Sequence, residues 1–270
     1  ISNGTSNLLL LARYPGEDWS MEMKLKRPLA FVPTMGALHA GHESLIKLAR
    51  ERCEEVVVSI FVNPLQFENK EDLAKYPRTP EEDVARAEKA GATFVWQPTL
   101  EEIYPNEPKI IQAGPVGELF EGVHRFGHFD GVLTVVKRLF DLVMPDVAYF
   151  GEKDYQQLFL IKKMVKELNL DIEIVSAPII RDVDGLALSS RNIRLNSDGR
   201  KAALIISKAL REGGHDREAI HKILAKEPKF ILDYAEVIDE DNFELAQEST
   251  KNKRTLIAGW VDGVRLIDNG

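Results

Sequence analysis

Eight consecutive residues, Glu55-Val-Val-Val-Ser-Ile-Phe-Val62, form an almost unbroken β-branched and aromatic run. A strand with one wet face alternates apolar and polar side chains, so a run without alternation predicts a strand covered on both faces, as in a parallel sheet flanked by helices. Neighbouring segments fit that arrangement. Residues 28–33 are extended and apolar, and residues 43–52 carry helical spacing with Leu45, Leu48, Ala49 and Cys53 on one face. Thr79-Pro-Glu-Glu82 predicts a helix start, with Thr79 as cap, proline in the first turn and glutamate three residues after the cap; Gly91 closes that helix. A strand at 93–97, an apolar helix at 132–143, a strand at 146–150, a helix at 155–168 and extended chain at 172–175 and 177–180 continue the alternation. The predicted class is α/β, a Rossmann-like doubly wound parallel sheet. After the turn Asp182-Val-Asp-Gly185 the pattern changes to helices at about 197–212 and 216–226 and strands at 230–238 and 254–261, a smaller C-terminal α+β domain. The expected division is 1–182 and 183–270. Residues 1–27, with a short apolar run at 8–12, read as an irregular or partly helical lead-in without assigned function.

With 270 residues, 44% hydrophobic and 29% charged, the chain can bury a substantial core. Lys plus Arg number 35 against 43 Asp plus Glu, a net charge of −8, which argues against bulk attraction to nucleic acid or anionic lipid and still allows a small anionic ligand. A single cysteine, Cys53, excludes an intramolecular disulfide and a cysteine metal cluster, in keeping with a reducing, cytoplasmic setting. No run approaches the roughly 18 apolar residues of a membrane span, and the opening residues lack the parts of a signal peptide.

Three loops carry the candidate chemistry. In the first, Pro33-Thr-Met-Gly-Ala-Leu-His-Ala-Gly-His42, glycines let backbone approach a ligand, and His39 and His42 stand where strand hands over to helix. Backbone N–H groups and the macrodipole favour an anion there, and two imidazoles can donate to phosphate oxygens. The competing reading makes His39 a helix-entry residue satisfied by backbone and His42 a solvated first-turn histidine. The second loop is Gly151-Glu-Lys-Asp154, with Lys153 as a point charge and Asp154 as acceptor for a ribose hydroxyl or a metal-bound water. The third is Ser189-Ser-Arg191, whose hydroxyls donate to phosphate; without a G-x-S-x-G elbow they are not read as nucleophiles. Neither G-x-x-x-x-G-K-[ST] nor G-x-G-x-x-G after a strand occurs, and zinc ligands on a helix face stand four apart, not three, so no metal ligand is assigned. Asn63 and Gln66 lie just past the carboxyl end of the 55–62 strand, where ligands of open α/β sheets bind. Arg125, between His124 and His128, holds either a carboxylate or a loop salt bridge.

Pro33-Thr-Met-Gly-Ala-Leu-His-Ala-Gly-His42, Val57-Val-Ser-Ile-Phe-Val-Asn-Pro-Leu-Gln-Phe67, Tyr149-Phe-Gly-Glu-Lys-Asp-Tyr-Gln-Gln157 and Asp184-Gly-Leu-Ala-Leu-Ser-Ser-Arg-Asn192 together resemble the successive motifs of the pantothenate synthetase (pantoate:β-alanine ligase) family, within the H-x-G-H nucleotidyltransferases. The resemblance is strong over residues 31–192 and continues weakly to Arg265-Leu-Ile-Asp-Asn269; residues 1–27 match poorly, the C-terminal domain is shortened or divergent, and Phe126 stands where the family usually has proline. It implies an ATP-dependent ligase with Mg²⁺ accompanying the triphosphate, a pantoyl-adenylate intermediate, and a cytoplasmic homodimer whose C-terminal domain acts as a lid. By the same resemblance Met35, Gly36, Ala37, Leu38, His39, Ala40, Gly41 and His42 would line the ATP site. His42 would be the proton donor, and His39 would stabilise the α-phosphate. Gly151, Glu152, Lys153 and Asp154 would meet phosphate and ribose, Ile180 adenine, and Leu188, Ser189, Ser190 and Arg191 the phosphates again. Gln66 and Gln157 would hold pantoate and Asn63 would touch it, with Gln66 also near β-alanine and Val132 and Phe150 as an apolar wall. Two other readings stay open at this point: a nucleotidyltransferase acting on a phosphorylated acceptor, and a nucleotide sensor without turnover.

Overall fold

The computed structural model describes residues 25–68 and 70–270, and the apolar run at 8–12 lies outside them. Leu29–Thr34 (β1), Glu55–Ile60 (β2), Phe94–Trp96 (β3), Val147–Gly151 (β4) and Glu173–Ala177 (β5) form a five-stranded parallel sheet in the order β3-β2-β1-β4-β5. The order reverses at β1, which pairs in parallel with β2 on one side and β4 on the other. Between the strands lie the helices Ala40–Arg52 (α1), Lys70–Lys75 (α2), Pro80–Ala90 (α3), Leu100–Ile103 (α4), Glu121–His124 (α5) and His128–Val143 (α6); Tyr155–Glu167 (α7) follows β4.

Both faces of the sheet are dry at its central strands β2, β1 and β4, as the unbroken run in β2 requires, while β3 and β5 at the edges are only partly covered. Ala30 and Val32 of β1 and Val56 and Val58 of β2 pack with Leu45, Ile46 and Ala49 of α1 and Ala87 of α3. Phe31 points the other way and meets Phe140 of α6 edge-on at 6.3 Å. α6 is buried nearly all round, which is why its sequence shows so little polar alternation. Pro33 sits in a central strand without cost to the ladder on the β4 side, because β4 pairs with β1 only at Ala30 and Phe31.

Several boundaries differ from the sequence expectation. α1 begins at Ala40, three residues earlier than the apolar spacing implied, because His39 caps it. β2 stops at Ile60, since residues 63–67 turn into a short 3-10 segment at Pro64–Gln66. Thr79 caps α3 by position, but its side chain makes no cap hydrogen bond; Glu82 pairs instead with Arg86 at 3.1 Å. Gly91 does end the helix, in the left-handed region at φ 116°. Only residues to Ala177 are strand, so chain 178–180 is not.

The chain divides into two compact units: the described residues to Phe150 with Leu160–Ala177, and Gly151–Phe159 with Pro178–Gly270. The division thus falls at 177/178, and the loop 151–154 with the first residues of α7 groups with the second unit. In that unit Ile231–Asp239 (β6), Lys253–Val261 (β7) and Val264–Asn269 (β8) form an antiparallel sheet in the order β6-β7-β8. Ser197–Gly213 (α8) and Arg217–Leu224 (α9) share its core through Ala203, Ile206, Ile220, Ala235 and Ile257. β8 was not anticipated as a strand.

Candidate active site

In the first unit the corner after β1 is shaped by backbone and by one buried carboxylate. Thr34 donates its hydroxyl to the Ser59 carbonyl at 2.8 Å, and Gly36 (φ 83°) and Ala37 (φ 49°) both take positive φ. Such a turn exposes its N–H groups, and Asp83 of α3 accepts two of them, from Ala37 at 2.9 Å and Leu38 at 2.6 Å. Asp83 is 1% exposed. A side chain at Gly36 would press on that carboxylate, with its Cβ 3.0 Å from Asp83 Oδ2, so the glycine is required by both conformation and space.

The two histidines themselves begin α1. His39 is the N-cap; its Nδ1 accepts from the Gly41 N–H at 3.1 Å, while the His39 N–H donates to His42 Nδ1 at 3.3 Å. This is the reciprocal arrangement of a capping box, built from imidazoles in place of the usual Ser/Thr and Glu. The rings lie 4.2 Å apart at 43°. An imidazole whose Nδ1 accepts carries its proton on Nε2, so both rings are set as Nε2–H tautomers at the positive end of a helix. The helix-entry role and the anion-binding role are therefore not alternatives: capping with Nδ1 is what aims Nε2–H as a donor.

Beyond β2, the turn at 63–66 is organised by Asn63. Its Oδ1 accepts from the Leu65 N–H (3.3 Å) and the Tyr104 hydroxyl (3.1 Å), and its Nδ2 donates to Gln66 Oε1 (3.2 Å) and the Gly131 carbonyl (3.0 Å). Burial pushes the Tyr104 phenol above its ordinary range, which keeps it a donor. Gln66 is buried, donates to Met35 Sδ at 2.8 Å, and has its own carbonyl 2.9 Å from His128 Nδ1. Thioether sulfur is a weak acceptor, so an oxygen would be a stronger partner for this amide donor. Gly131 permits α6 to lie against the turn: a Cβ there would fall 2.3 Å from the Leu65 carbonyl oxygen. Its neighbour Val132 is buried, as is Phe150, which meets Phe140 at 6.4 Å. Phe126 is 82% exposed, next to Gly127, which takes φ 69° at the entry of α6.

The second unit brings together the other two loops. Lys153 lines one pocket with Ser189, Arg191 and Asn192, and with Arg265 and Asp268 of β8, over Leu186, Ile206 and Leu266. Its ammonium lies 3.6 Å from Asp154. Ser189 caps a 3-10 turn at Ser190–Arg194 by accepting from the Arg191 N–H at 3.3 Å. The Ile180 carbonyl accepts from the Leu188 N–H at 2.9 Å, which leaves its second lone pair for another donor. Glu152 faces Arg254 at 3.6 Å, and Gln157 is half-buried in the first turn of α7. Among the described residues no group of three or more His, Cys, Asp or Glu could hold a metal ion.

Of these features the sequence pattern missed Asp83 and Tyr104, and it also missed Asn269 of β8, whose side-chain amide donates to the Glu152 and Lys153 carbonyls at 2.9 Å. Asp83 sits in a first helical turn already rich in acid, where nothing distinguishes a buried carboxylate from solvated ones; Asn269 lies at the end of a strand that was not recognised.

Residues 15–270 match the family described as Pantoate-beta-alanine ligase, so the match includes residues 15–27 and the chain beyond 192, where the motifs alone were thin. A pantothenate synthetase of Acidothermus cellulolyticus is 47% identical over 96% of this chain and 90% of its own. The pantoate–beta-alanine ligase of Schizosaccharomyces pombe is 46% identical over 89% and 90%. The crystal structure of pantothenate synthetase from Thermus thermophilus superposes with a TM-score of 0.86 at 42% identity, covering 92% of this chain and 94% of that one. A pantoate-beta-alanine ligase of Francisella tularensis, solved in complex with beta-gamma ATP and beta-alanine, gives 0.75 at 37% identity, covering 92% and 91%. The chain belongs to the pantoate–beta-alanine ligase family and is a ligase.

Proposed function

We propose that the chain condenses pantoate with β-alanine in two steps, with MgATP as co-substrate. The pantoate carboxylate oxygen attacks the α-phosphorus and pyrophosphate leaves, giving pantoyl adenylate. The free amine of β-alanine then attacks the acyl carbon, AMP leaves, and the nitrogen sheds a proton to solvent. The observation that carries this reading is the imidazole capping box, which presents two Nε2–H donors at a helix N-terminus. Nucleotidyl transfer asks a protein mainly for positioning and for donors where charge develops. His42 donates toward the leaving phosphate, and His39 stabilises the charge that builds on the α-phosphate.

Residues 35–41 approach the nucleotide with backbone, Lys153 and Arg191 neutralise phosphate, Ser189 and Ser190 donate to it, and Asp154 takes the ribose. Ile180 offers adenine its backbone. Gln66 and Gln157 hold pantoate, with Gln66 also near β-alanine. Asn63, all of whose donors and acceptors serve the fold, acts on pantoate through Gln66. Mg²⁺ would accompany the triphosphate and would supply charge neutralisation there. The protein is proposed to be a cytoplasmic homodimer; no helix among the described residues is long and apolar enough to cross a membrane, and sedimentation measures the assembly.

The test is pyrophosphate release from ATP with pantoate alone, followed by amide formation on adding β-alanine. ATP binding without pyrophosphate release would sink the adenylate mechanism.

A further inference from the structure

We infer that Asn269 is a positioning residue for the reaction, acting through Lys153. Its side-chain amide donates both hydrogens to consecutive backbone carbonyls, those of Glu152 and Lys153, each at 2.9 Å. Its Oδ1 accepts from Arg254 Nη1 at 2.7 Å. The orientation is unambiguous, because a guanidinium only donates and carbonyls only accept. Asn269 is 2% exposed, so an amide has been buried at a point where an apolar side chain would fill the space more cheaply, and every polar atom of it is used.

The brace behind it is equally specific. Arg254 is held by Glu240 at 2.5 Å and lies 4.0 Å over the ring of Tyr155, which stacks on Phe243 at 6.2 Å. Burial pushes the Tyr155 phenol up to about 12, so that ring stays neutral under the cation. On the other side, Asp268 takes a two-pronged pair from Arg181 at 2.5 and 3.0 Å and also accepts the Asn269 N–H at 2.8 Å. Two ion-paired supports thus fix one amide, and that amide fixes the main chain on which Lys153 is mounted. Lysine itself has four rotatable bonds and little intrinsic direction. Anchoring its backbone is the means by which its ammonium keeps its place beside Ser189 and Arg191 in the pocket.

This inference rests on the reading that Lys153 meets the phosphates, and the experiment separates the two. Adenylation is followed by pyrophosphate release, as a function of ATP concentration, in the wild type, Lys153→Met, Asn269→Asp and the double variant. Asn269→Asp keeps the acceptor for Arg254 and sets a carboxylate oxygen against the two loop carbonyls, so a purely structural role predicts a lower melting temperature with kcat/KM of the folded enzyme unchanged. The expected result is a loss in kcat/KM for ATP of about 100-fold for Lys153→Met and about 10-fold for Asn269→Asp, the latter shrinking below about twofold on the Lys153→Met background. KM for pantoate stays unchanged.

An equal loss from Asn269→Asp in both backgrounds overturns the inference, because the residue then acts elsewhere. No loss from Asn269→Asp beside a damaged Lys153→Met overturns it too, while leaving the phosphate reading intact. A normal Lys153→Met enzyme removes that reading and the inference with it. Should Asn269→Asp not fold, Asn269→Ala enters the same cycle; failure of both to fold makes Asn269 a folding residue and overturns the assignment.

Discussion

The imidazole corner and the 151–154 loop are held in opposite ways. His39 and His42 fix each other across one helical turn, with Asp83 supporting the preceding turn. The 151–154 loop relies on an amide more than a hundred positions away, with separations of 117 and 116. The turn at 63–66 is intermediate: its own Asn63 organises it, and it leans on the Gly131 backbone 68 positions on. Local restraint forms as soon as the helix does, whereas distant restraint exists only once β8 has paired with β7. The first loop should therefore keep its shape under conditions that release the second.

The strongest way to test the local side is His42→Ala. Adenylation should fall roughly 100-fold, while the lost cap should cost only about 1 kcal/mol. Pyrophosphate release and thermal melting, measured on the same sample, check the two numbers separately; a melting loss large enough to explain the rate would mean the ring is a cap and nothing more. Next comes Gly131→Ala, which drives a Cβ into the Leu65 carbonyl and should destabilise by about 3 kcal/mol, since backbone rather than a flexible side chain must yield. Urea unfolding reads this directly, and KM for pantoate should rise as Gln66 moves.

Asp83→Asn should follow at about 2 kcal/mol, because an amide offers one oxygen and one NH₂ to two backbone donors that both need an acceptor. If that variant melts normally, the corner does not depend on α3. The smallest effect belongs to the surface cluster of Arg200 with Asp182 and Asp184, at 2.6 and 2.7 Å. The Arg200 hydrogen bond holds the Asp184 carboxyl below its ordinary range. A depressed folded value stabilises above the unfolded one and is lost as pH falls through the folded one. Asp184→Asn should thus cost under about 1 kcal/mol at neutral pH, screened by exposure, with the gap to wild type closing as the solution is acidified through the carboxylate range. A gap that widens on acidification would contradict the sign.

Legibility in the sequence followed the same division. The buried strands announced themselves because covering both faces removes polar alternation, as in β2, and glycine at Gly91 marked a left-handed helix end. The H-x-x-H corner was visible because all its parts are neighbours in the chain. The sequence offers His39 at the helix entry only as a competing reading, since imidazole is an uncommon cap and apolar spacing starts only at the core-facing residues. It could not show Asp83 or Asn269, which matter only through partners that the fold delivers. β8 escaped for a related reason: its half-buried pattern is short and carries Arg265, Asp268 and Asn269, polar groups whose partners lie in other segments.

The commitment of both Nδ1 atoms to main-chain amides carries one more implication. A histidine with two open nitrogens can pass hydrogen ions along a chain, taking one in on one side and releasing another on the opposite side. These two rings have a single working nitrogen each. A neutral ring would have to become an imidazolate to give that hydrogen ion up, so each keeps it while pointing it outward, and the corner acts as a fixed pair of donors that needs no recharging between turnovers.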